Sequence, residues 1–337
     1  MHEYLAQLQD PDPDVRRTAV WALGQMGKAA ATPEVLGALI QRLREDEDKW
    51  VRQATAGALG WMGEAAATPE VLQALTERLR EDAAEEVRWA AVWSLGQMGS
   101  AAARPEVLEA LVQALRKDEA GWVRRAAAWS LGWMGKAAAT PEVVRALIQA
   151  LRDRNSDVRS EAAGALGKMG AAAATPEVIR ALVERLLRDE DWGVRMAAAE
   201  ALLMWLLPAH PEALRAFLRA LTVPMTPQET QALRKVFRNS PGAVPAVRAL
   251  LSDPDPKVRA GAVWALGWMG EAAATPEVVR AILARRLDED PNVRTAALEV
   301  LRRLPVSSET VSAVLRDIRG DEPEAAEATA WALERLG

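Results

Sequence analysis

The chain has 337 residues, half of them hydrophobic, no cysteine, and a formal net charge of −5 from 42 basic and 47 acidic side chains. Without cysteine there is no disulfide framework and no thiolate metal site, and charges of mixed sign argue against a partner defined by charge, whether nucleic acid or an anionic membrane. No apolar run is long enough to span a bilayer, and the opening MHEYLAQLQD lacks the apolar core of a signal peptide, so a soluble cytoplasmic chain is expected.

Residues 3–9 read as the second half of a helix pair, so the array is expected to start in mid-repeat. The first full pattern, VRRTAVWALGQMG at 15–27, is rewritten at Val51-Arg52, Val87-Arg88, Val123-Arg124, Val158-Arg159, Val194-Arg195, Val258-Arg259 and Val293-Arg294. Successive arginines lie 36, 36, 36, 35, 36, 64 and 35 residues apart. A fixed period of that length suits two short helices per repeat and replaces a count of domains by one array over residues 1–337. Regular repeats are expected over 1–204, irregular ones over 205–256, and regular repeats with a C-terminal cap over 257–337.

With each arginine as zero, valine at −1, Ala or Thr at +3, Leu at +7 and usually Met at +10 form one stripe of the helix, the side it buries. Positions −2, +1, +5 and +9 form a second stripe, expected to face solvent. These outward columns change from copy to copy, and ten of the thirteen tryptophans stand in them: Trp21, Trp50, Trp61, Trp89, Trp93, Trp122, Trp129, Trp133, Trp264 and Trp268. Arg17, Gln25, Gln97 and Arg125 share the columns, as do Met196, Met204 and Ala260. Acids and bases balance there, which disfavours a groove that tracks phosphates.

Each Val-Arg helix runs into Gly-x-Met-Gly and then a second helix opened by Thr-Pro-Glu, as at Thr32, Thr68, Thr140, Thr175 and Thr275, with Arg104 replacing the capping threonine once. Threonine caps, proline suits the first helical position and glutamate complements the dipole. The glycines follow a helix, whereas phosphate-binding loops precede one, so the second of each pair reads as a C-terminal cap and the first as a close helix contact. An aspartate stands six residues before each arginine, giving the pairs Asp10 and Arg16, Asp46 and Arg52, Asp82 and Arg88, Asp118 and Arg124, Asp153 and Arg159, Asp189 and Arg195, Asp253 and Arg259, Asp288 and Arg294. Repeated in every layer, these two columns can form a ladder of charge-assisted hydrogen bonds. The acidic turn at Asp46, Glu47 and Asp48 lacks the spaced oxygens and turn glycine of a calcium loop, so no metal is expected.

Between Trp205 and Pro256 the pattern lapses, with short helices expected near 212–222, 228–238 and 242–251 and a possible bend. The last copy keeps Trp331 and Leu333 without a Val-Arg pair, and its glutamates suit a terminal cap. His2 and His210 are the only histidines; neither has an orienting partner in sequence, and no nucleophile–base set can be assembled, so neither catalysis nor a cofactor is expected.

Asp, then Val-Arg six residues on, then Ala-Leu-Gly-x-Met-Gly resembles HEAT repeats of the phycobilisome-lyase-like type over residues 10–204 and 253–304, and is similar to artificial helical-repeat binders idealised from them. The resemblance implies an all-α, right-handed α-solenoid of about nine to ten HEAT-like helix pairs of roughly 31–36 residues. It also implies that the Val-Arg helix lines the concave surface and that the outward columns are variable binding positions. The longer Ala-Ala-Ala-Thr-Pro-Glu connection departs from the family and leaves the curvature open. The paired His-Glu motifs of metal-dependent HEAT enzymes of the deoxyhypusine hydroxylase kind are missing.

The expected function is non-catalytic recognition of a protein or peptide by the tryptophan columns, as in the sensor arrays of prokaryotic signalling ATPases that the repeats look like. The alternatives are a chromophore lyase or chaperone, as the family name implies, and a self-assembling scaffold associating through the tryptophan face. For the rings themselves the competing reading is that they fill gaps between repeats.

Overall fold

A computed structural model describes residues 1–202, 211–220, 230, 233–234, 237–238, 240–317 and 325–336. The chain is an all-α solenoid, and the described residues contain no strand. It divides into two compact units, Met1–Ala181 and Leu182–Gly337.

In the first unit α1 (His2–Gln7) precedes the Val-Arg helices α2 (Pro13–Gln25), α4 (Lys49–Met62), α6 (Glu85–Gln97), α8 (Gly121–Met134) and α10 (Ser156–Lys168). These alternate with second helices α3 (Pro33–Glu45), α5 (Pro69–Glu81), α7 (Pro105–Lys117) and α9 (Pro141–Ala150). Helix α11 (Pro176–Arg188) runs from one unit into the other. The second unit holds α12 (Trp192–Ala201), α13 (Pro211–Ala220), α14 (Val244–Ala249), α15 (Pro256–Met269), α16 (Pro276–Ala284), α17 (Pro291–Arg303), α18 (Ser308–Asp317) and α19 (Ala325–Leu336). Of the three short helices expected in the irregular stretch, the first is α13 and the last is α14 flanked by single 3₁₀ turns. Most of 228–238, together with Met204, Trp205 and His210, lies outside the described residues.

Each helix begins and ends for a local reason. Thr32, Thr68, Thr140, Thr175 and Thr275 each accept the amide three residues on, whereas Arg104 makes no such bond. The Val-Arg helices are capped by Asp12, Asp48, Asn155, Asp191, Asp255 and Asp290, a column two residues after the ladder aspartates, while Ala84 and Ala120 leave α6 and α8 without a side-chain cap. Six of them end at glycines with φ between 56° and 70°, a region closed to most L side chains, at Gly27, Gly63, Gly99, Gly135, Gly170 and Gly270, whereas α12 and α17 end at Leu202 and Leu304. A single 3₁₀ turn then leads to the next threonine or to Arg104.

The inward stripe is the core: Val51, Val87, Val123, Val158, Val194, Val258 and Val293 are fully buried, as are Leu23, Leu59, Leu95, Leu131, Leu166 and Leu202 or nearly so. The first layer departs from this. Val15 is half-buried and Met26 exposed, because only the short α1 precedes α2 there. Ser94 and Ser130 tie adjacent Val-Arg helices together, donating to the Ala56 and Val92 carbonyls of the preceding copy.

The strongest polar link between copies is made by the ladder columns. In five copies the arginine grips the aspartate of the following copy with both Nε and Nη2: Arg16 on Asp46, Arg52 on Asp82, Arg88 on Asp118, Arg124 on Asp153 and Arg259 on Asp288, at 2.7–3.0 Å. Its Nη1 turns back to the carbonyl of its own copy's aspartate, as at Asp10, Asp46, Asp82, Asp118 and Asp253. Arg159, Arg195 and Arg294 make the same backward bond to Asp153, Asp189 and Asp288. Each aspartate also accepts the amide two residues on, as Asp10 and Asp189 do from Asp12 and Asp191. In the irregular stretch Arg215, which follows Leu214 rather than a valine, takes the arginine's place and grips Asp253.

These contacts lower the carboxyl pKa at four of the aspartates. At Asp82, Asp153 and Asp288 burial is the largest influence and pushes the carboxyl up, but arginine and turn-amide hydrogen bonds together outweigh it and the net shift is downward. At Asp253 the Arg215 hydrogen bond dominates and lowers it. A carboxyl whose folded pKa lies below its unfolded value near about 3.9 contributes stability that is full above that pH and is lost as pH falls through the folded value.

Two outcomes follow. The urea midpoint falls between about pH 5 and pH 3 and is level between about pH 5 and pH 7 as far as these groups are concerned; a midpoint unchanged down to about pH 3 contradicts the ladder's role. Arg104→Thr supplies the missing cap of α7 and raises unfolding free energy by about 1 kcal/mol, read by urea denaturation.

Candidate recognition surface

The outward columns remain largely open to solvent. In the −2 column Trp50 and Trp122 are exposed, and in the +9 column Gln25, Trp61, Gln97 and Trp133 are exposed. Trp21, Arg17 and Arg125 are also exposed, while Trp89, Trp93, Trp129 and Trp264 are half-buried. Among the described tryptophans Trp133 is the most open, at 57%.

Ring contacts sort the tryptophans of the first unit. Trp89 stacks on Trp93 at 6.4 Å and on Trp122 at 6.0 Å, bridging α6 and α8, and Trp129 and Trp133 form a tilted pair at 5.5 Å. Lys49 sits 4.6 Å over the Trp50 ring and Lys168 sits 5.3 Å over that of Trp133, each a cation–π contact at a wet surface. Arg17 pairs with Asp14 at 2.8 Å. Arg125 approaches Asp157 at 4.0 Å.

Some rings also pack. A Cβ on Gly24, Gly60 or Gly96 would lie 2.6–2.7 Å from the ring of Trp61, Trp93 or Trp129 of the next copy, so in these three copies the first glycine of the pair is the floor on which the following tryptophan rests, while Gly132 and Gly267 face Ala165 and Val300. Gap-filling and exposure therefore coexist along the stripe. Trp93 and Trp129 lean on the frame, and Trp50, Trp122 and Trp133 present their rings.

In the second unit the outward placement fails at three positions. Trp268 is only 7% exposed, packed 5.8 Å from Phe237 and 6.4 Å from Trp264, with Phe217 behind Phe237 at 5.5 Å. The irregular stretch thus covers the +9 position of α15, and Trp268 is a core residue. Met196 and Ala260, both in the +1 column, are buried as well.

Two features escaped the sequence reading. Trp192 is exposed one residue before the −2 column. Glu161 stands in a column held by Ala54, Ala90, Ala126 and Ala197 in other copies; it is half-buried 3.9 Å from Lys168, and burial raises its pKa above the usual carboxylate value. Among the described residues no cluster of three His, Asp or Glu groups is arranged to hold a metal, and no helix is long and apolar enough to cross a membrane.

A stack of capped helix pairs joined by an arginine–aspartate ladder defines a helical-repeat protein. The profile described as HEAT repeats matches residues 3–96, 72–145, 108–203 and 209–286, and the chain belongs to that family. A profile described as a HEAT repeat associated with sister chromatid cohesion matches 274–301 alone. No curated protein sequence matches the chain.

Solved structures with a similar fold include a chain from the complex of Kap95p with RanGDP, at 17% identity and a TM-score of 0.54, covering 98% of this chain and 49% of that one. This chain thus spans about half the length of that relative. An engineered protein is 20% identical with a TM-score of 0.47, covering 98% of this chain and 97% of its own. Escherichia coli YibA is likewise 20% identical with a TM-score of 0.47, covering 90% and 92%.

Truncation separates the two kinds of ring. Trp268→Ala destabilises by about 3–5 kcal/mol, as large-to-small core changes do, whereas Trp133→Gln stays within about 0.5 kcal/mol. Equal losses in thermal and urea melts of the two variants contradict this division.

Proposed function

We propose that the chain is a non-catalytic recognition module that binds a protein or peptide through the exposed tryptophans of its Val-Arg helices. One observation carries the reading: Trp21, Trp50, Trp61, Trp122 and Trp133 are exposed, in columns that change from copy to copy on a frame that does not. Exposed apolar rings gathered on one face mark interaction sites more often than chance exposure does. A tryptophan buried at an interface removes roughly 150–250 Å² from water, and a few such anchors dominate binding energy. HEAT arrays commonly hold other proteins, and the Kap95p neighbour is named for its binding to RanGDP.

The finer reading rests on the resemblance of the repeated frame. It assigns the chain to the phycobilisome-lyase-like type of HEAT repeat, in the cytoplasm, as the sensor part of a larger prokaryotic signalling or defence protein.

The test compares the wild type with a Trp50→Gln, Trp122→Gln, Trp133→Gln variant in capture from a native lysate, read by mass spectrometry beside thermal melts. The expected result is a protein retained by the wild type and lost by the variant at equal melting temperature. A captured set identical for both overturns the reading, as does sedimentation in which the wild type self-associates through these rings and captures nothing.

A further inference from the structure

The ladder aspartates differ in a respect that the outward columns do not reveal. Four residues before Asp46, Asp82 and Asp189 stands a second arginine, on the helix that ends at the aspartate, and it adds a second cation to the carboxylate: Arg42 at 3.6 Å, Arg78 at 3.7 Å and Arg185 at 3.3 Å. Arg285, three residues before Asp288, does the same at 3.4 Å. At Asp118 the corresponding residue is Ala114. The side chain that would lie over the Arg88–Asp118 bond is missing, and a cavity of about 310 Å³ opens between the C-terminal ends of α5 and α7. Its walls include Ala110, Ala114, Asp118, Gln113 and Glu119.

We propose that this cavity is a binding site for a guanidinium group, presented by an arginine side chain of a protein partner. The site lies apart from the tryptophan columns and does not rest on their role. The fit follows from the chain's own repeats. The same notch between α3 and α5 is occupied by Arg78, which also reaches Glu81 at 3.6 Å. In the open layer Lys117 stands in the place of Glu81, and Glu119 brings a carboxylate to the same wall. Of the three cations on the cavity wall, Arg88 holds Asp118 and Arg80 approaches Glu109 at 3.5 Å, and the third is Lys117. Asp118 therefore keeps the contact that Asp46, Asp82, Asp189 and Asp288 give to a second arginine; at Asp153 and Asp253 the position four residues upstream is likewise not arginine but Gln149 and Ala249. A planar guanidinium is less strongly hydrated than an ammonium and suits a partly desolvated carboxylate, so the site discriminates between the two.

The experiment titrates the full chain with methylguanidinium and, at matched ionic strength, with methylammonium, in the millimolar range below denaturing concentrations. Chemical shifts of the Ala110 and Ala114 methyl groups are followed by NMR. The expected result is a saturable shift with methylguanidinium at least about tenfold tighter than any with methylammonium. It is abolished in Ala114→Arg, which fills the notch from within, and strengthened in Lys117→Glu, which restores the acid of the filled layer. Equal responses to both cations, or no saturable shift in the wild type, overturn the proposal without reference to any variant. A response retained in a folded Ala114→Arg protein overturns it equally.

Discussion

Every layer with a complete arginine clasp depends on one side chain satisfied from two directions. An arginine such as Arg88 grips Asp118 of the next copy with Nε and Nη2 and sends Nη1 back to the carbonyl of Asp82 in its own. The aspartate in turn closes its own turn by accepting the amide two residues on. One guanidinium thus fixes the turn before its helix and the position of the following repeat. A partly buried pair of this kind stabilises only when all its polar groups are partnered, and here they are. That requirement explains why the two residue types repeat at a fixed offset while outward residues vary freely.

Once the layers are coupled in this way, helix spacing is settled by small residues. Gly60 and Gly96 admit the rings of Trp93 and Trp129, and Ser94 and Ser130 close the same interface with hydrogen bonds to the preceding helix. The exposed tryptophans of the first unit are then held on helices that pack between neighbouring copies and end at left-handed glycines. Such an arrangement lowers the ordering cost of binding, which is where rigid aromatic anchors gain over flexible ones.

Much of this is legible in the sequence because the repeats comment on one another. A position that reads Val, Leu or Gly in copy after copy is structural, and the glycine caps, threonine caps and buried stripe of 51–170 follow from that alone. Asp12, Asp48 and Asn155 form a capping column that the same comparison could have found. What could not be read is contact with a segment outside the pattern. Trp268 shares its column with Trp61 and Trp133, but Phe237, from the stretch where the repeats lapse, covers it. Arg215 was hidden for the same reason, since Leu214 replaces the valine that marks the other arginines. The vacancy at Ala114 is visible as a break in the column of Arg42 and Arg78, yet its meaning depends on the cavity that only three dimensions supply.

The central claim is that neighbouring repeats are held in register by the arginine–aspartate clasp between copies. A double-mutant cycle on Arg88 and Asp118, with each residue replaced by alanine alone and together and read by urea denaturation, measures that coupling directly. The account predicts an interaction energy of about 1–3 kcal/mol, with the double variant costing less than the sum of the single ones. Single losses that simply add, leaving an interaction energy near zero, would contradict it.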